Sequence, residues 1–168
     1  MTQIISTQDQ HLADIETLLD QCFGPGRLAR TAERLREGNR PVRALAYVGV
    51  DETQTVRGSI GYWPLRIGHQ PALLLGPLAV HPDLQGKGLG LELMQHSLAQ
   101  IDTQSFAGVL LVGDLPYYQR SGFEVAPKNI AMPGPVDAAR LLLRGSAEFV
   151  ASLEAGSAHL VRPAPDLC

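Results

Sequence analysis

Apolar side chains recur along the first residues of the chain at two different spacings. Residues 3–6, with Ile4 and Ile5 at their centre, predict a short strand. Residues 12–19 carry apolar side chains three and four positions apart, which predicts a helix with one buried face. Thr7 and Gln10 precede this helix with the spacing of a capping box, so we expect the helix to begin there.

The middle of the chain predicts a second helix and then an antiparallel meander. A break at residues 24–26 precedes a charged helical pattern at residues 28–37, which Gly38 ends and whose arginines predict a solvated face. Strand-like runs then follow around the polar link at residues 51–55, the pattern of a hairpin. The meander strands are residues 44–50, 56–63 and 72–80.

The second half of the chain alternates helices with strands. The predicted helices are residues 89–101, 117–121 and 147–153, and the predicted strands are residues 108–112, 140–143 and 158–161. Residues 108–112 are apolar throughout, which is typical of a strand buried on both faces. Antiparallel strands followed by alternating strands and helices predict an α/β sheet with helices on both faces.

Length and composition narrow the class of protein. The chain has 168 residues, of which 45% are hydrophobic, so we expect one domain over residues 1–168 with its own core. A net charge of −3 argues against nucleic acid as a partner. We expect no membrane partner and a cytoplasmic location, because the sequence shows neither a signal-peptide pattern nor a run of 18 apolar residues. Cys22 and Cys168 offer no metal-ligand spacing, and Cys22 is expected to fill the core.

A glycine-rich turn after the third meander strand carries the clearest chemistry. Gly86, Gly88 and Gly90 remove side chains where backbone N–H groups approach an anion, and the helix from Leu89 directs its positive end there. The turn lacks the Gly-Lys-Ser/Thr sequence of nucleoside triphosphatases. It therefore predicts a cradle for the pyrophosphate of a nucleotide-like cofactor. Upstream, Pro77 cannot donate to a sheet, so the strand is expected to bulge or part from a neighbour there.

Two ordered motifs give the chain a family resemblance between residues 74 and 123. The first is Val80-His81-Pro82 followed by Gln85-Gly86-Lys87-Gly88-Leu89-Gly90, and the second is Tyr118-Gln119-Arg120-Ser121-Gly122-Phe123. In this order the sequence resembles the GNAT superfamily of acetyl-coenzyme A (acetyl-CoA)-dependent N-acetyltransferases. The resemblance implies the GNAT fold, a mixed and mostly antiparallel sheet of about six to seven strands.

The resemblance also implies how the cofactor is bound. The backbone of Leu78, Ala79 and Val80 is expected to pair with the pantetheine arm. The amides expected to hold the pyrophosphate are those of Gly86, Lys87, Gly88, Leu89, Gly90 and Leu91. Side chains of Gln85 and Lys87 add contacts, although Lys87 reads equally well as an exposed loop cation. Asp114 either contacts the cofactor arm or caps the next helix.

Tyr118 is the expected general acid, because the thiolate that leaves needs a proton. A phenol pKa of about 10 lies near the thiol pKa of about 8.5, so the transfer is nearly balanced. The backbone N–H of Val80 is expected to stabilise the oxyanion. No general base stands out, since His81 occupies the variable place of its motif, and His69 lies at a predicted turn. Asp51 and Glu52 also lie at a turn.

Several points stay open from the sequence. The acceptor is a small-molecule amine or a protein amine, and Tyr62 and Trp63 either line its pocket or pack in the core. A non-catalytic acyl-CoA-binding regulatory module is the alternative from another class, and a transferase for longer acyl chains is a third. The tail at residues 140–161 offers strands for pairing in a homodimer, which one chain does not decide.

Overall fold

The computed structural model describes all residues from Met1 to Cys168, which form nine strands and four α-helices joined by 3-10 turns and loops. The strands are β1 (Gln3–Ser6), β2 (Tyr47–Val50), β3 (Val56–Ile67), β4 (Gln70–Val80), β5 (Gly108–Val112), β6 (Glu124–Val125), β7 (Ile130–Ala131), β8 (Leu141–Gly145) and β9 (His159–Pro163). The helices are α1 (Leu12–Phe23), α2 (Leu89–Leu98), α3 (Leu115–Tyr118) and α4 (Ala147–Glu154). None of the helices combines the length and apolarity that a bilayer crossing requires.

The strands follow the order β1-β2-β3-β4-β5-β8-β6, and β9 pairs with β3 and β7. Ladders β4–β5 and β7–β9 are parallel, whereas the β1–β2, β2–β3, β3–β9, β5–β8 and β6–β8 ladders are antiparallel. This confirms a mixed, mostly antiparallel sheet. The strands number more than predicted, because β6 and β7 have two residues each and leave no alternating pattern in the sequence.

The chain divides into two compact units, and β3 and β4 run through both. The first comprises residues 1–29, 42–62 and 76–101, and the second comprises residues 30–41, 63–75 and 102–168. Neither unit is continuous in sequence.

In the first unit, helices pack on both faces of the sheet. Val48 and Val50 of β2 form a core cluster with Leu18 and Leu19 of α1. Gly49 lies between the two valines, so its face is the opposite one, and there it meets Leu89 of α2. The predicted helices on both faces are therefore present within this unit.

In the second unit, β5 is the central strand. It pairs with β8 over five residues and with β4 through Leu73–Val109 and Leu74–Leu110. Residues 108–111 are buried, as the apolar run predicts. The parallel ladder with β4 lies ahead of Gly76, where the sequence predicts an irregularity, and Gly76 has φ 120°.

The predicted helix over residues 28–37 is wrong. Two 3-10 turns, Pro25–Ala29 and Thr31–Leu35, occupy this region. Thr31 Oγ1 donates to the Pro135 carbonyl at 2.6 Å and Arg34 Nη1 to the Pro133 carbonyl at 2.7 Å, so contacts distant in sequence shape this segment. Its arginines are also not a simple solvated face, because Arg27 pairs with Glu16 and Asp20.

The helix start is also one turn different from the prediction. Gln8, rather than Thr7, caps a 3-10 turn at Asp9–His11 that leads into α1, and the Gln8 N–H donates to His11 Nδ1 at 3.1 Å. Leu12 is exposed, so the buried face of α1 is carried by Leu18 and Leu19. A histidine replaces Gln10 as the reciprocal partner because its ring nitrogen accepts the same backbone hydrogen bond.

Candidate functional site

The end of β4 turns one edge of its backbone away from β3. The His81 N–H donates to the Arg57 carbonyl of β3 at 2.8 Å. Successive residues of a strand direct their N–H and C=O groups to opposite edges, so those of Val80 and Leu78 point away from β3. Ala79 faces β3 with its backbone, which leaves Leu78 and Val80 as the residues able to pair with an added chain.

The Val80 carbonyl is held by two side chains. Gln85 Nε2 donates to it at 3.1 Å, and Cys22 Sγ donates to it at 3.3 Å from the end of α1. Burial raises the pKa of the Cys22 thiol, which keeps it a proton-bearing donor. Gln85 thus braces the loop against the strand that precedes it, a role that the sequence did not assign to it. Cys22 joins this contact over 58 residues of sequence separation, which no local motif signals.

The bend after Val80 is a tight turn closed by its own backbone. His81 Nδ1 accepts the Asp83 N–H at 3.3 Å, and the Leu84 N–H donates to the His81 carbonyl at 2.8 Å. His81 therefore caps the 3-10 turn Pro82–Leu84. Gly86 and Gly88 follow with φ values of 76° and 98°, a backbone conformation that other residues adopt only with strain.

A group of backbone amides at the start of α2 has no acceptor within the helix. The first intrahelical bond runs from the Glu92 N–H to the Gly88 carbonyl at 3.0 Å. The amides before it, those of Leu89, Gly90 and Leu91, are the unpaired donors that every helix start carries. Together with the helix dipole they favour an anion.

Lys87 departs from the predicted set of amides. Its N–H donates to the Leu84 carbonyl at 3.2 Å, and the Gln85 N–H donates to the Pro82 carbonyl at 3.2 Å. Hydrogen bonds within the turn thus use these two amides. Of the predicted amides, those of Gly86, Gly88, Leu89, Gly90 and Leu91 have no such bond within the turn, and the Lys87 side chain beside them is exposed.

The second motif lies in the second unit, where aromatic neighbours surround the Tyr118 ring. The Tyr118 ring packs edge-to-face against Tyr117 and Phe123, with ring centroids 5.0 and 5.9 Å apart. Gly113 leaves the space for this ring, because a Cβ at position 113 would overlap Tyr118 Cε2 and lie 2.9 Å from Cδ2. Gly122 ends the segment with φ 81°, as predicted.

Burial and neighbouring groups raise the pKa of Tyr118 to about 12, with burial the main cause. The neighbouring Tyr117 and Asp114 add to the increase, and Arg140 opposes it. The phenol is therefore a proton carrier throughout the neutral range. Its ring is fixed by packing against Tyr117 and Phe123.

Asp114 is the N-cap residue directly before α3, but its side chain makes no capping hydrogen bond. Its carbonyl accepts the N–H groups of Tyr117 and Tyr118 at 3.0 and 3.2 Å, while its carboxylate accepts from Arg140 Nε at 3.2 Å. The helix-cap interpretation is thus right for the backbone and wrong for the side chain.

The remaining candidates divide between core and surface. Tyr62 is fully buried, and its hydroxyl lies 2.8 Å from Ser97 Oγ of α2, while Trp63 packs against the core of the second unit. Hydrogen bonds from Thr53 and Arg57 hold the pKa of Asp51 well below its usual range, so Asp51 is a poor proton acceptor.

Comparison with known proteins identifies the family to which the two motifs belong. The Acetyltransferase (GNAT) domain family matches residues 43–125, which include both motifs. The N-acetyltransferase YhbS of Escherichia coli is 30% identical over 114 residues, 67% of each chain. The chain belongs to the GNAT family of acetyltransferases. This confirms the resemblance that the two motifs carry.

Solved GNAT structures have the same fold. The crystal structure of YhbS from Escherichia coli in complex with CoA superposes with a TM-score of 0.74 at 23% identity, covering 97% of this chain and 89% of that one. A GNAT acetyltransferase from Brucella melitensis in complex with acetyl-CoA superposes with a TM-score of 0.60 at 28% identity, covering 89% and 98%. The GNAT fold predicted from the two motifs is thereby confirmed.

Proposed function

We propose that residues 1–168 form a single acetyltransferase domain that transfers an acetyl group from acetyl-CoA directly to an amine. The observation that carries the proposal is the set of amides at the start of α2 that have no acceptor within the helix, one turn of chain after the end of β4. Two GNAT relatives are described in complex with CoA and acetyl-CoA. The chemistry of the donors fits a diphosphate, which needs several N–H groups converging on one place.

In this proposal the cofactor is bound mainly by the main chain. The amides of Gly86, Gly88 and the first turn of α2 hold the diphosphate, and Lys87 adds a positive charge beside it. The outward backbone groups of Leu78 pair with the amide-rich pantetheine arm as an added strand would, and the Val80 N–H is left for the acetyl group. Acetyl-CoA supplies the thioester that makes the acetyl group transferable. Asp114 is held by Arg140 and is not needed for these contacts.

Two donors serve the acetyl transfer. The Val80 N–H, fixed by the strand, is placed to stabilise the negative charge that develops on the acetyl oxygen. As the amine forms its bond to the acetyl carbon and the carbon–sulfur bond breaks, Tyr118 gives its proton to the departing thiolate, a less balanced transfer than from a phenol of ordinary pKa because the pKa of Tyr118 is raised. The proton that the amine loses passes to solvent, from which the Tyr118 phenolate regains its own. The amine attacks directly, without a covalent enzyme intermediate, because the thiol beside Val80 is not activated as a nucleophile. This thiol, Cys22, donates a hydrogen bond to the Val80 carbonyl and has a raised pKa.

The acceptor is an amine, carried either by a small molecule or by a protein. The structure gives no side chain that selects between them. An acceptor screen that follows thiol release tests the proposal, with thermal stabilisation by acetyl-CoA measured alongside. Ligand at 100 times its Kd stabilises a fold by about 2.7 kcal/mol.

Turnover with any amine, together with this stabilisation, supports the proposal. Stabilisation without turnover on any amine indicates a binding module for acyl-CoA instead. Faster release from longer acyl-CoA substrates than from acetyl-CoA indicates a transferase for longer chains.

A further inference from the structure

Two glycines lie directly opposite each other on neighbouring strands beneath the start of α2. Gly49 of β2 pairs with Gly58 of β3, and both are buried. Glycine in a strand interior weakens the strand, so a facing pair in the core needs a reason. A common reason is that another part of the chain approaches the backbone closely.

The approaching groups are leucine side chains of α2. A methyl group at Gly49 would lie 2.9 and 3.3 Å from the two Cδ atoms of Leu89 and 3.2 Å from Thr2 Cγ2. A methyl group at Gly58 would lie 2.9 Å from Leu93 Cδ1 and 3.0 Å from Leu89 Cδ2. Leu89 and Leu93 are themselves buried, at 5% and 0% exposure. The first turns of α2 therefore pack directly against this pair of glycines.

We propose that Gly49 and Gly58 are positioning residues for cofactor binding, because the absence of side chains at these positions sets the distance between α2 and the sheet. The Leu89 side chain packs against both glycines, and Leu89 is also the first residue of the helical turn whose amides have no acceptor within the helix. Because Leu89 is buried, its Cδ atoms have little free space to turn into, so we expect a methyl group beneath them to shift the first turn of α2 and its amides. Hydrogen bonds weaken steeply outside a narrow range of distance and angle, so a small shift lowers the affinity for an anion. The inference rests on the proposed role of these amides in holding the diphosphate.

Gly58→Ala is the test variant, and Gly61→Ala is its matched control. Gly61 lies on the same strand but on its opposite face, and a methyl group there would meet nothing within 4 Å. The readouts are the Kd for CoA and the Kd for pantetheine, which lacks the diphosphate, measured by calorimetry on variants whose fold is checked by circular dichroism. We expect Gly58→Ala to raise the Kd for CoA by about tenfold and to leave that for pantetheine unchanged, a loss typical of hydrogen bonds to a charged group. Gly61→Ala is expected to change neither.

A second set of variants tests the contact itself. Leu89→Ala removes both Cδ atoms that crowd position 49. In the double variant Gly49→Ala/Leu89→Ala the new methyl group partly fills the space, so we expect tighter CoA binding than in either single variant. Independent losses that simply multiply would overturn the proposal, because residues in contact must couple. This cycle also decides the matter if Gly58→Ala does not fold.

Gly86→Ala in the same assay distinguishes the proposed diphosphate binding by the amides from the proposed positioning role of Gly49 and Gly58. If it weakens CoA binding while Gly58→Ala and Gly49→Ala do not, the positioning role is wrong and the diphosphate assignment stands. If Gly86→Ala also has no effect, both assignments are wrong. Equal losses for CoA and pantetheine in Gly58→Ala would show a general structural role and would overturn the proposal as well.

Discussion

The two sequence motifs build their functional groups in opposite ways. The segment from Gln85 to Leu91 offers backbone amides, and its glycines serve by having no side chain. The segment from Tyr118 to Phe123 offers one side chain, the Tyr118 phenol, held by aromatic neighbours and by the space at Gly113. In the proposed function, the first segment therefore governs binding and the second governs the chemical step.

This difference determines which substitutions are informative. A side-chain truncation tests Tyr118 cleanly, because one hydroxyl can be removed while the ring stays in place. Backbone donors cannot be removed this way, so the loop is tested by adding a side chain where φ is positive. Substitutions in the Tyr118 segment are expected to change kcat, whereas substitutions in the glycine loop are expected to change the Kd for CoA.

The largest expected effect is on the chemical step. Tyr118→Phe is expected to lower kcat by about 100-fold, at the low end of what a positioned acid contributes, and to leave the Kd for CoA unchanged. Steady-state kinetics with calorimetry measures both. Tyr117→Phe is the control, because Tyr117 lies next in sequence and packs against the same ring. A variant that keeps full kcat would remove Tyr118 from the mechanism.

The next effect is on cofactor binding. Gly86→Ala places a methyl group where φ is 76°, a strain of about 1–2 kcal/mol that relaxes by moving the loop. We expect the Kd for CoA to rise roughly 5- to 30-fold, the equivalent of that strain. Gly38→Ala is matched in strain, since Gly38 has φ 67° and open space around it. It is expected to lose similar stability but no affinity, and an equal loss of affinity in both variants would contradict the loop's role.

The smallest effect is on stability in alkali. Because the pKa of Tyr118 is raised to about 12 in the folded chain, an unfolded Tyr118 loses its proton first, at about pH 10. The stabilising contribution is complete below pH 10 and is lost as the pH rises toward 12. At pH 11 we expect the free energy of unfolding to fall by about 1 kcal/mol more in the parent protein than in Tyr118→Phe. Urea unfolding at pH 8 and pH 11 measures this, and parallel losses would show that Tyr118 is not shielded from water.

Long periodic segments were predictable from the sequence, and segments shaped by distant contacts were not. The strand at residues 108–112 and the start of α2 at Leu89 match the prediction because burial and glycine punctuation are local signals. Residues 28–37 read as a helix but are held by hydrogen bonds to residues 133–135, which no local pattern reveals.

The candidate site divides along the same line. The glycine turn and Tyr118 were found from their motifs, whereas their supporting residues were not. The supporting contacts are made by residues outside the two motifs and need the folded chain. They are Cys22 with the Val80 carbonyl, Gly113 with the Tyr118 ring, and Arg140 with Asp114. Gly58 carries no signal in sequence beyond being a glycine within a predicted strand.

In the proposed function, the amides after Gln85 bind the diphosphate of CoA. Nuclear magnetic resonance of the 15N-labelled protein tests it directly, by comparing the amide shifts produced by CoA with those produced by pantetheine. We expect large downfield proton shifts for Gly86, Gly88 and Gly90 with CoA and small shifts for the same amides with pantetheine. Equal shifts with both ligands, or none at these glycines with bound CoA, would contradict it.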